Sequence, residues 1–315
     1  MSSLPYLNIV GEVAKFGMVL TLLTNSTLIY LTTRHIKNIR GAYKFLVLLL
    51  AVLGMIFAVM ETFVHPFFHS FNASFVYFSI APMFGASKAI RTAALLIYSD
   101  IYILIICVSA IQFAYRMVLL CNSQYLKYFS GWRIVWWIVY LIACLFFWSI
   151  SGLPGLPNEY SIQYLNEEMM AQYIQRADEV AGYYIVAYDQ HGNLIWYSFI
   201  CLINVSTVLV VQYLIIIYSG FKIHSKIQES LQKTSTKNYK LHQQLFKTLV
   251  LQITAPSLFY HAPAFLMFIV PYFDLEISFP SGFMVCFFSL YPAIDSLIMM
   301  YMVKEYHRVV GSERY

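Results

Sequence analysis

The sequence predicts an all-α membrane protein, a bundle of seven transmembrane helices, and three observations lead to this fold class. The 315 residues are 60% hydrophobic and only 11% charged, whereas an ordinary soluble domain carries roughly a quarter charged residues. Seven apolar runs reach the roughly 20 residues that a helix needs to cross a bilayer. The basic residues gather in alternate loops. These features predict one domain, residues 1–315, whose main solvent is lipid.

The seven predicted spans follow one another without an obvious internal repeat. They cover residues 8–31, 43–64, 89–115, 132–151, 194–221, 244–270 and 279–303. An odd number of helices without repeated halves is atypical of secondary transporters. The amino-terminal stretch lacks a basic segment followed by a short apolar run and a cleavage site, so we expect the first helix to act as its own insertion signal.

The distribution of positive charge predicts the orientation in the membrane. All but four of the 20 Lys and Arg residues lie in one set of alternate loops, and the exceptions are Lys15, Lys88, Arg91 and Arg176. Because loops rich in Lys and Arg stay in the cytoplasm, we expect the amino terminus outside and the carboxyl terminus inside. The net charge of +5 then reflects topology and contact with anionic lipid, and it implies no nucleic-acid partner.

Two connecting segments are long. The outer one, residues 152–193, is acidic, and its middle part "NEEMMAQYIQRADEV" is expected to form a short helix in a lid. The inner one, residues 222–247, is basic with a single acid, Glu229. Two interpretations of the inner segment remain open: it satisfies the membrane topology alone, or it docks a cytoplasmic partner through basic residues that include Lys237, Lys240 and Lys247.

The five cysteines predict no extracellular disulfide. Cys107, Cys144, Cys201 and Cys286 lie inside predicted spans, and Cys121 lies in a cytoplasmic loop. We therefore expect the outer loops to be held together without a disulfide.

The third predicted span carries a mostly polar stripe at helical spacing. The stripe consists of Tyr98, Tyr102, Ile105, Ser109, Gln112 and Arg116. It extends over about 27 Å of helix and so links the two membrane edges. Hydrogen bonding between helices accounts for Ser109 and Gln112, whereas Tyr98 and Tyr102 are candidates for a ligand pocket.

Two other spans complete the predicted pocket. In the sixth span, Thr254, Ser257 and His261 share a face beside Pro256 and Pro263, and in the fifth span Tyr197, Asn204 and Thr207 share a face. The predicted pocket consists of Tyr98, Tyr102, Tyr197, Asn204 and His261. Its aromatic walls and neutral hydrogen-bonding groups suit a small, uncharged, fairly apolar molecule with one or two acceptors. Alternatively, these side chains only bond to neighbouring helices.

Three other groups of residues were weighed for function. The sequon Asn72-Ala73-Ser74 falls in an outer loop and predicts a glycan on Asn72. Glu61, His65 and His69 have the spacing of metal ligands on a helix, but a polar rim explains them equally and Pro66 interrupts the helix, so no metal or other cofactor is predicted. Asp100 lies off the polar stripe of its helix, and the sequence identifies no partner for it.

Three passages resemble one family, the nematode Str-class seven-transmembrane chemoreceptors, which include the receptor for the odorant diacetyl. The passages are "QQLFKTLVLQITAPSLFYHAPAFLMFIVPYFDLEI" with "LYPAIDSLIMMYMVKEYHR", "NIRGAYKFLVLLLAVLGMIFAVMETFVHPFFHSFNASFVYF", and "FAYR". The resemblance runs nearly end to end. It implies a receptor that is not an enzyme, that binds a small-molecule odorant and a heterotrimeric G protein, and that resides in the plasma membrane of sensory cilia.

The resemblance also implies roles for particular residues. Tyr115 and Arg116 match the Tyr-Arg pair that ends the family's third helix, and Pro292 and Asp295 match its Tyr-Pro-x-x-Asp motif in the seventh helix. These four residues are expected to form the activation switch, although a purely structural role for Asp295 remains open. The chain departs from the family pattern at His65, at Ser296 and in its short tail.

The predicted function is that of a G-protein-coupled chemosensory receptor. A ligand between the outer halves of the helices would shift a two-state bundle, for which differential affinity is sufficient. A membrane transporter or channel is the alternative, and an intramembrane hydrolase based on His65, His69 and Asp100 is a more distant one. A transporter is expected to show broken helices in repeated halves, and the sequence shows no such repeat.

Overall fold

The computed structural model describes residues 4–35, 41–81, 83–231, 237–275, 277–280 and 282–306. Within these residues the chain forms nine α-helices: α1 (Leu4–Arg34), α2 (Ala42–Val64), α3 (Lys88–Cys121), α4 (Val135–Ile150), α5 (Glu159–Tyr173), α6 (Trp196–Leu231), α7 (Lys237–Pro256), α8 (Ala262–Ile269) and α9 (Gly282–Met302). The same residues contain four strands: β1 (Pro66–Phe71), β2 (Ser74–Ser79), β3 (Ala181–Val186) and β4 (Ser278–Pro280).

Six helical stretches of the described chain are long and apolar enough to cross a membrane. They are residues 8–34, 42–64, 88–121, 131–155, 196–229 and 284–302, and each overlaps a predicted span. The last begins later than the predicted residue 279, because residues 278–280 pair as a strand with β1 before α9 starts.

The predicted span 244–270 is not a single α-helix, and this is a correction to the sequence-based prediction. Its α-helical part starts earlier, at Lys237, and α7 ends at Pro256, where a π-helical turn, Ser257–His261, leads into α8. Proline has no N–H group and clashes with the preceding turn of an α-helix, and Pro256 and Pro263 flank this wider turn. Such π turns occur frequently at functional sites, and His261 lies at the end of this one.

The helices pack around α3, which contacts α2, α4 and α6, while α1 runs along α2 and α9. Two glycines permit the closest of these approaches. A Cβ atom at Gly17 would lie 2.4 Å from the carbonyl oxygen of Ser289, and a Cβ atom at Gly54 would lie 2.9 Å from Asn25 Nδ2. Helices α1 and α9 are therefore in near backbone contact. In contrast, α4 has no fully buried residue and packs on the bundle through half-buried side chains such as Tyr140, Leu141 and Trp148.

At one end of the bundle, the end that the charge distribution predicts to be outside and that we call the outer end, the loops form a small antiparallel sheet with the strand order β3-β2-β1-β4. A two-residue turn at Asn72 and Ala73 joins β1 to β2, and Asn72 has a φ of 46°, a left-handed conformation that Asn tolerates better than most residues. The expected short helix of the outer segment is α5. The sheet beside it did not follow from the sequence reasoning.

The two faces of this sheet pack in opposite directions, because side chains alternate along a strand. One face, which includes Phe67, Val76, Phe78 and Tyr184, packs beneath α5 against Leu165, Met169 and Tyr173. The other face, which includes Phe75, Tyr77, Tyr183 and Ile185, joins the core of the helix bundle. The sheet therefore separates the helix α5 from the interior of the bundle. We call it the roof.

Candidate ligand cavity and switch

A cavity of about 170 Å³ lies in the outer half of the bundle, directly beneath the roof. Its walls come from α3, α4, α6, α8 and α9. The described lining residues are Phe68, Phe75, Tyr77, Leu96, Tyr98, Ser99, Tyr102, Trp148, Ser151, Gly152, Tyr183, Ile185, Cys201, Val205, Leu209, His261, Ala264, Phe265, Phe268 and Phe288. Aromatic rings dominate this set, and it contains no Lys, Arg, Asp or Glu.

Three of the five predicted pocket residues, Tyr98, Tyr102 and His261, line this cavity together. The Tyr102 ring meets the His261 ring edge-on, with centroids 5.4 Å apart. Tyr102 also contacts Phe288 of α9, with ring centroids 5.8 Å apart. Tyr102 therefore lies where α3, α8 and α9 converge.

Tyr197 and Asn204, the other two residues of the predicted pocket, do not line this cavity. Tyr197 lies in the first turn of α6 and is 48% exposed. Asn204 Nδ2 donates to the Phe147 carbonyl and to Ser151 Oγ, both at 2.7 Å, and so ties α6 to the end of α4. The polar face of α6 meets α4, which the sequence could not show, and the cavity wall on α6 comes from Cys201, Val205 and Leu209.

Most polar groups of the cavity already have partners within the protein. Ser99 Oγ donates to the Leu96 carbonyl, Cys201 Sγ donates to the Ser151 carbonyl, and His261 Nδ1 is bonded to the Tyr213 hydroxyl. The Tyr102 hydroxyl has no hydrogen-bond partner among the described residues. It is therefore the group best placed to orient a molecule in the cavity.

The roof is anchored to α3 by two tyrosines that the sequence reasoning missed. The Tyr77 hydroxyl donates to the Leu95 carbonyl at 2.9 Å, and the Tyr183 hydroxyl donates to the Thr92 carbonyl at 3.2 Å. Their rings are stacked with centroids 6.2 Å apart. The aromatic runs "FVYF" and "YYIV" are rich in strand-forming residues, and they were the signal that could have identified the roof.

A polar clasp connects the roof to α5 on its outer side. His69 of β1 is fully buried, with Nε2 3.1 Å from Glu168 Oε1 and Nδ1 2.9 Å from the Tyr173 hydroxyl. Ser278 Oγ of β4 donates to the same Glu168 oxygen at 2.6 Å. Burial lowers the pKa of His69 below its ordinary value, and the nearby Glu168 carboxylate partly opposes this shift. We call these four residues the clasp.

Glu61, His65 and His69, which have the spacing of metal ligands in the sequence, point in different directions. His69 faces Glu168, whereas Glu61 faces the interior and accepts a hydrogen bond from Ser289 of α9. His65 caps the end of α2 in a left-handed conformation. Among the described residues no group of three or more His, Cys, Asp or Glu side chains could hold a metal ion.

Arg116 and Tyr115 lie at the inner end of the bundle. Arg116 is 4% exposed, and its guanidinium lies 3.6 Å from the centroid of the Tyr43 ring of α2. The Tyr43 and Tyr115 rings are stacked with centroids 6.1 Å apart, and Tyr115 meets Phe129 edge-on. A cation over an aromatic face is stabilised electrostatically, so this layer joins α2, α3 and the loop before α4.

Asp295 and Pro292 lie in a second inner cluster, which joins four helices. Ser296 Oγ donates to Asn25 Oδ1, and Asn25 Nδ2 donates to the Ala51 carbonyl at 2.9 Å. Gln252 Nε2 of α7 donates to the Asp295 carbonyl at 3.1 Å. Asp295 also borders two cavities of about 10 Å³ each, close to the volume that holds one water molecule. We call Asn25, Gln252, Asp295 and Ser296 the inner polar cluster.

The remaining predicted residues lie at the two ends of the molecule. Lys247 is exposed near the inner end of α7, while Lys237 and Lys240 belong to its first two turns and have side chains outside the described part of the structure. Asn72 is half-buried at the roof turn, and its backbone N–H donates to the Ile277 carbonyl at 2.9 Å.

Asp100, which had no predicted partner, accepts a hydrogen bond from Ser149 Oγ of α4 at 2.9 Å. All five cysteines are in the described chain and are unpaired.

This chain is similar to known proteins both in its sequence and in its structure. The family model described as serpentine type 7TM GPCR chemoreceptor Str matches residues 11–311. The chain is 40% identical over 301 residues to the G-protein coupled receptor str-33 of Caenorhabditis elegans, an alignment that covers 93% of this chain and 87% of that protein. It is 25% identical over 316 residues to the serpentine receptor class r-10 of the same species, covering 98% of this chain and 92% of the relative.

The fold is also similar to a solved structure. Squid rhodopsin superposes with a TM-score of 0.63 at 13% identity, over 99% of this chain and 86% of the rhodopsin chain. This similarity confirms the predicted seven-helix bundle, and the family match confirms the resemblance found in the sequence. Since the family model matches most of its length, this chain belongs to the Str family of serpentine seven-transmembrane G-protein-coupled chemoreceptors.

Proposed function

We propose that this receptor detects a small, uncharged odorant in the cavity beneath the roof and then activates a heterotrimeric G protein. The observation that carries the proposal is the aromatic cavity of about 170 Å³ with the Tyr102 hydroxyl on its wall. A protein cavity of about 150 Å³ holds a benzene molecule, so this one suits a ligand of about six to nine non-hydrogen atoms. A carbonyl or hydroxyl oxygen on such a ligand would accept the Tyr102 proton.

The chemistry of the walls argues against charged ligands. No described lining residue carries a charge, and an amine or carboxylate would be buried there without a counter-charge, which is strongly unfavourable. A peptide is too large for the volume. The selectivity that we propose is therefore for volatile ketones, aldehydes or alcohols over amines, acids and peptides.

The position of the cavity provides a route from ligand to signal. Tyr102 contacts His261 at the π turn and Phe288 of α9, so a ligand against Tyr102 lies beside α9, which also carries Asp295 and Ser296 of the inner polar cluster. A ligand shifts a conformational equilibrium only through different affinities for the two states. Helices α8 and α9 supply surfaces that differ between states when they move relative to α3.

At the opposite end we propose that Tyr115, Arg116, Pro292 and Asp295 form the switch, and that Lys237, Lys240 and Lys247 contribute to the G-protein surface. This arrangement requires the amino terminus outside and the carboxyl terminus in the cytoplasm. The chain is a multi-pass plasma-membrane protein and not an enzyme, as its family implies. We further propose that it forms one domain of residues 1–315 and resides in sensory cilia.

The test is a panel of matched odorants on cells that express the full chain with a calcium or cAMP readout. Each carbonyl compound is paired with a hydrocarbon of equal non-hydrogen atom count, for example acetophenone with isopropylbenzene. A carbonyl should activate at a lower concentration than its partner. Loss of one hydrogen bond costs about 0.5–1.5 kcal/mol, so Tyr102→Phe should raise the effective concentration roughly threefold to tenfold and remove the preference for the carbonyl.

Tyr197→Phe is the matched control, because it deletes a hydroxyl group that lies outside the cavity. It should leave the dose–response curve of every active compound unchanged. Activation by amines or acids instead of carbonyls would contradict the proposed ligand class. A response that Tyr197→Phe weakens more than Tyr102→Phe would contradict the location of the site.

Orientation has its own test. An antibody tag on the amino terminus should be accessible on intact cells, and treatment with a glycosidase should shift the electrophoretic mobility of the parent but not of Asn72→Gln. Detection of the tag only after permeabilisation would reverse the proposed topology. Glycosylation of Asn72, which is half-buried in the roof, stays a prediction.

A further inference from the structure

Glu61 is a buried carboxyl group in the outer half of the bundle that the proposed function does not use. It lies in the last turn of α2 and is 1% exposed. Its Oε1 atom accepts a hydrogen bond from Ser289 Oγ of α9, whereas its Oε2 atom has no partner in the described part of the chain. A buried polar atom without a partner is unfavourable, so this position is expected to have a role other than packing.

Tyr98 of α3 is the neighbour of this carboxyl group on the side away from Ser289, close enough to interact with it electrostatically. Its ring lines the cavity and stacks on Phe57 of α2, with centroids 4.5 Å apart. Glu61 itself does not line the cavity. One side chain therefore separates Glu61 from a molecule bound beneath the roof.

Ser289 lies on the helix that leads to the switch. It precedes Pro292 by three residues, and its hydroxyl group also donates to the Val285 carbonyl at 3.1 Å. The backbone of Ser289 is the point where α9 approaches Gly17 of α1 most tightly. A change in the hydrogen bond between Glu61 and Ser289 therefore acts on α9 at the point where α9 packs closely against α1.

We infer that Glu61 is a positioning residue that couples occupation of the cavity to the arrangement of α9, through Tyr98 on one side and Ser289 on the other. The inference rests on the proposed receptor function. A molecule that packs against the Tyr98 ring restricts its motion and favours a hydrogen bond from the Tyr98 hydroxyl to Oε2. The completed network then holds Ser289, and with it α9, in the signalling arrangement. We call Tyr98, Glu61 and Ser289 the relay.

The first measurement needs neither a ligand nor a G protein. Thermal unfolding of the purified full chain is measured for Tyr98→Phe, Ser289→Ala and the double variant, each with Glu61 and with Glu61→Leu. Residues in one hydrogen-bond network give non-additive effects. The shifts in Tm should be non-additive when Glu61 is present and additive with Glu61→Leu.

The second measurement separates a positioning role from a purely structural one. Ser289→Ala and Glu61→Leu should lower the maximal response to the carbonyl compounds of the panel roughly threefold to tenfold, at surface expression equal to the parent. Glu61→Gln keeps an acceptor oxygen for Ser289, and its amide N–H can donate to the Tyr98 hydroxyl, so both contacts persist and the response should be restored. Thr24→Ala is the control, because within the described residues the Thr24 hydroxyl bonds only to carbonyl groups of its own helix.

Two results would overturn the relay: additive Tm shifts with Glu61 present, or full responses from Ser289→Ala and Glu61→Leu in cells where the parent responds. If the parent responds to no compound, the proposed ligand class fails, while the thermal cycle still decides the relay. If Glu61→Leu does not reach the surface, Ser289→Ala and its double variant with Tyr98→Phe give the same decision.

Discussion

The outer and inner halves of the bundle are built from different chemistry. Around the cavity the interior is aromatic, and the contacts that shape it are ring against ring, as between Tyr102 and Phe288. In the inner half, amide and hydroxyl groups bond one helix to another, as between Ser296 and Asn25. The difference suits two tasks: apolar walls accept any molecule of the right size, whereas polar groups have discrete partners that can be exchanged.

One helix belongs to both regions. Phe288 of α9 lines the cavity, and Asp295 of the same helix, seven residues later, borders the inner polar cluster. Two turns of helix, about 10 Å, separate them. A displacement of α9 at Phe288 is therefore transmitted to Asp295 over a short distance, with Pro292 between them as the point where the backbone hydrogen bonding is weakest.

The largest effect that would test this division is expected at Arg116. Arg116→Ala should abolish agonist-driven nucleotide exchange and leave ligand binding largely intact, because the residue stacks on Tyr43 at the inner end and is not among the described residues that line the cavity. Arg116→Lys should recover little, since the planar guanidinium makes the stacking contact. Exchange assays on membranes with ligand binding measured in parallel check this. A variant that loses binding together with exchange would break the separation of the two halves.

The next effect concerns the roof, where Gly182 of β3 lies against β2. A Cβ atom at this position would be 2.6 Å from the Tyr77 carbonyl oxygen and 2.8 Å from Phe78 Cβ. Gly182→Ala should therefore destabilise the roof by about 1–3 kcal/mol and raise the effective agonist concentration, with basal signalling unchanged. Gly11→Ala, whose new Cβ would meet only His65 Cε1 at 3.4 Å, serves as the control. Altered basal signalling in Gly182→Ala would show that the roof is part of the switch.

The features that the sequence predicts also differ between parts of the molecule. The helices and the polar stripe of α3 were predictable, because hydrophobic length and a spacing of three and four residues are local properties. The roof was not predictable. Its strands β3 and β4 lie far along the sequence from the β1–β2 hairpin, and they meet it only in the tertiary fold. Asn204 was assigned to the pocket for a similar reason: periodicity identifies a polar face but does not say which neighbouring helix it meets.

Glu61 illustrates the same limit within one helix. Its spacing from His65 and His69 suggested a rim of polar groups at the membrane edge. In the structure the chain turns into β1 at Pro66, so His69 joins the clasp while Glu61 faces α9. The polarity of these residues sets them apart in the sequence. Their different surroundings follow from the path of the backbone, which the sequence does not show.

A smaller effect is expected from Asp295, and it would sharpen the role of the inner polar cluster. Asp295→Asn keeps the side-chain shape but removes the charge that the group can carry, so it should change basal signalling a few-fold. In a two-state receptor, higher basal signalling should come with a lower effective agonist concentration, and lower basal signalling with a higher one. The measurement is basal and stimulated signalling at matched surface expression. Thr248→Ala is the control, since the Thr248 hydroxyl bonds, in the described part of the chain, only to the Gln244 carbonyl of its own helix. Equal basal signalling in parent and Asp295→Asn would indicate a structural role for Asp295.

The smallest effect, a pH dependence, is expected at the clasp. Since a carboxylate only accepts hydrogen bonds, the short contact with Glu168 requires the proton of His69 on Nε2, and Nδ1 then accepts from the Tyr173 hydroxyl. This arrangement uses neutral histidine, and burial lowers the pKa of His69 accordingly. Because the closed clasp binds the proton less tightly than an open one, its stability is complete above the ordinary pKa of about 6.5 and decreases as the pH falls below that value.

The prediction is that acidification below about pH 6.5 loosens the roof over the cavity. The population with an open clasp should rise by at most about tenfold per pH unit, the limit for one titrating group, and agonist dissociation should accelerate correspondingly. His69→Gln should remove this dependence, while His191→Gln, at an exposed position of the segment that carries α5, should retain it. Dissociation rates of a carbonyl agonist between pH 5 and 7.5 give the answer. The same slope in parent and His69→Gln would assign the pH effect to another group and leave the clasp as a static contact.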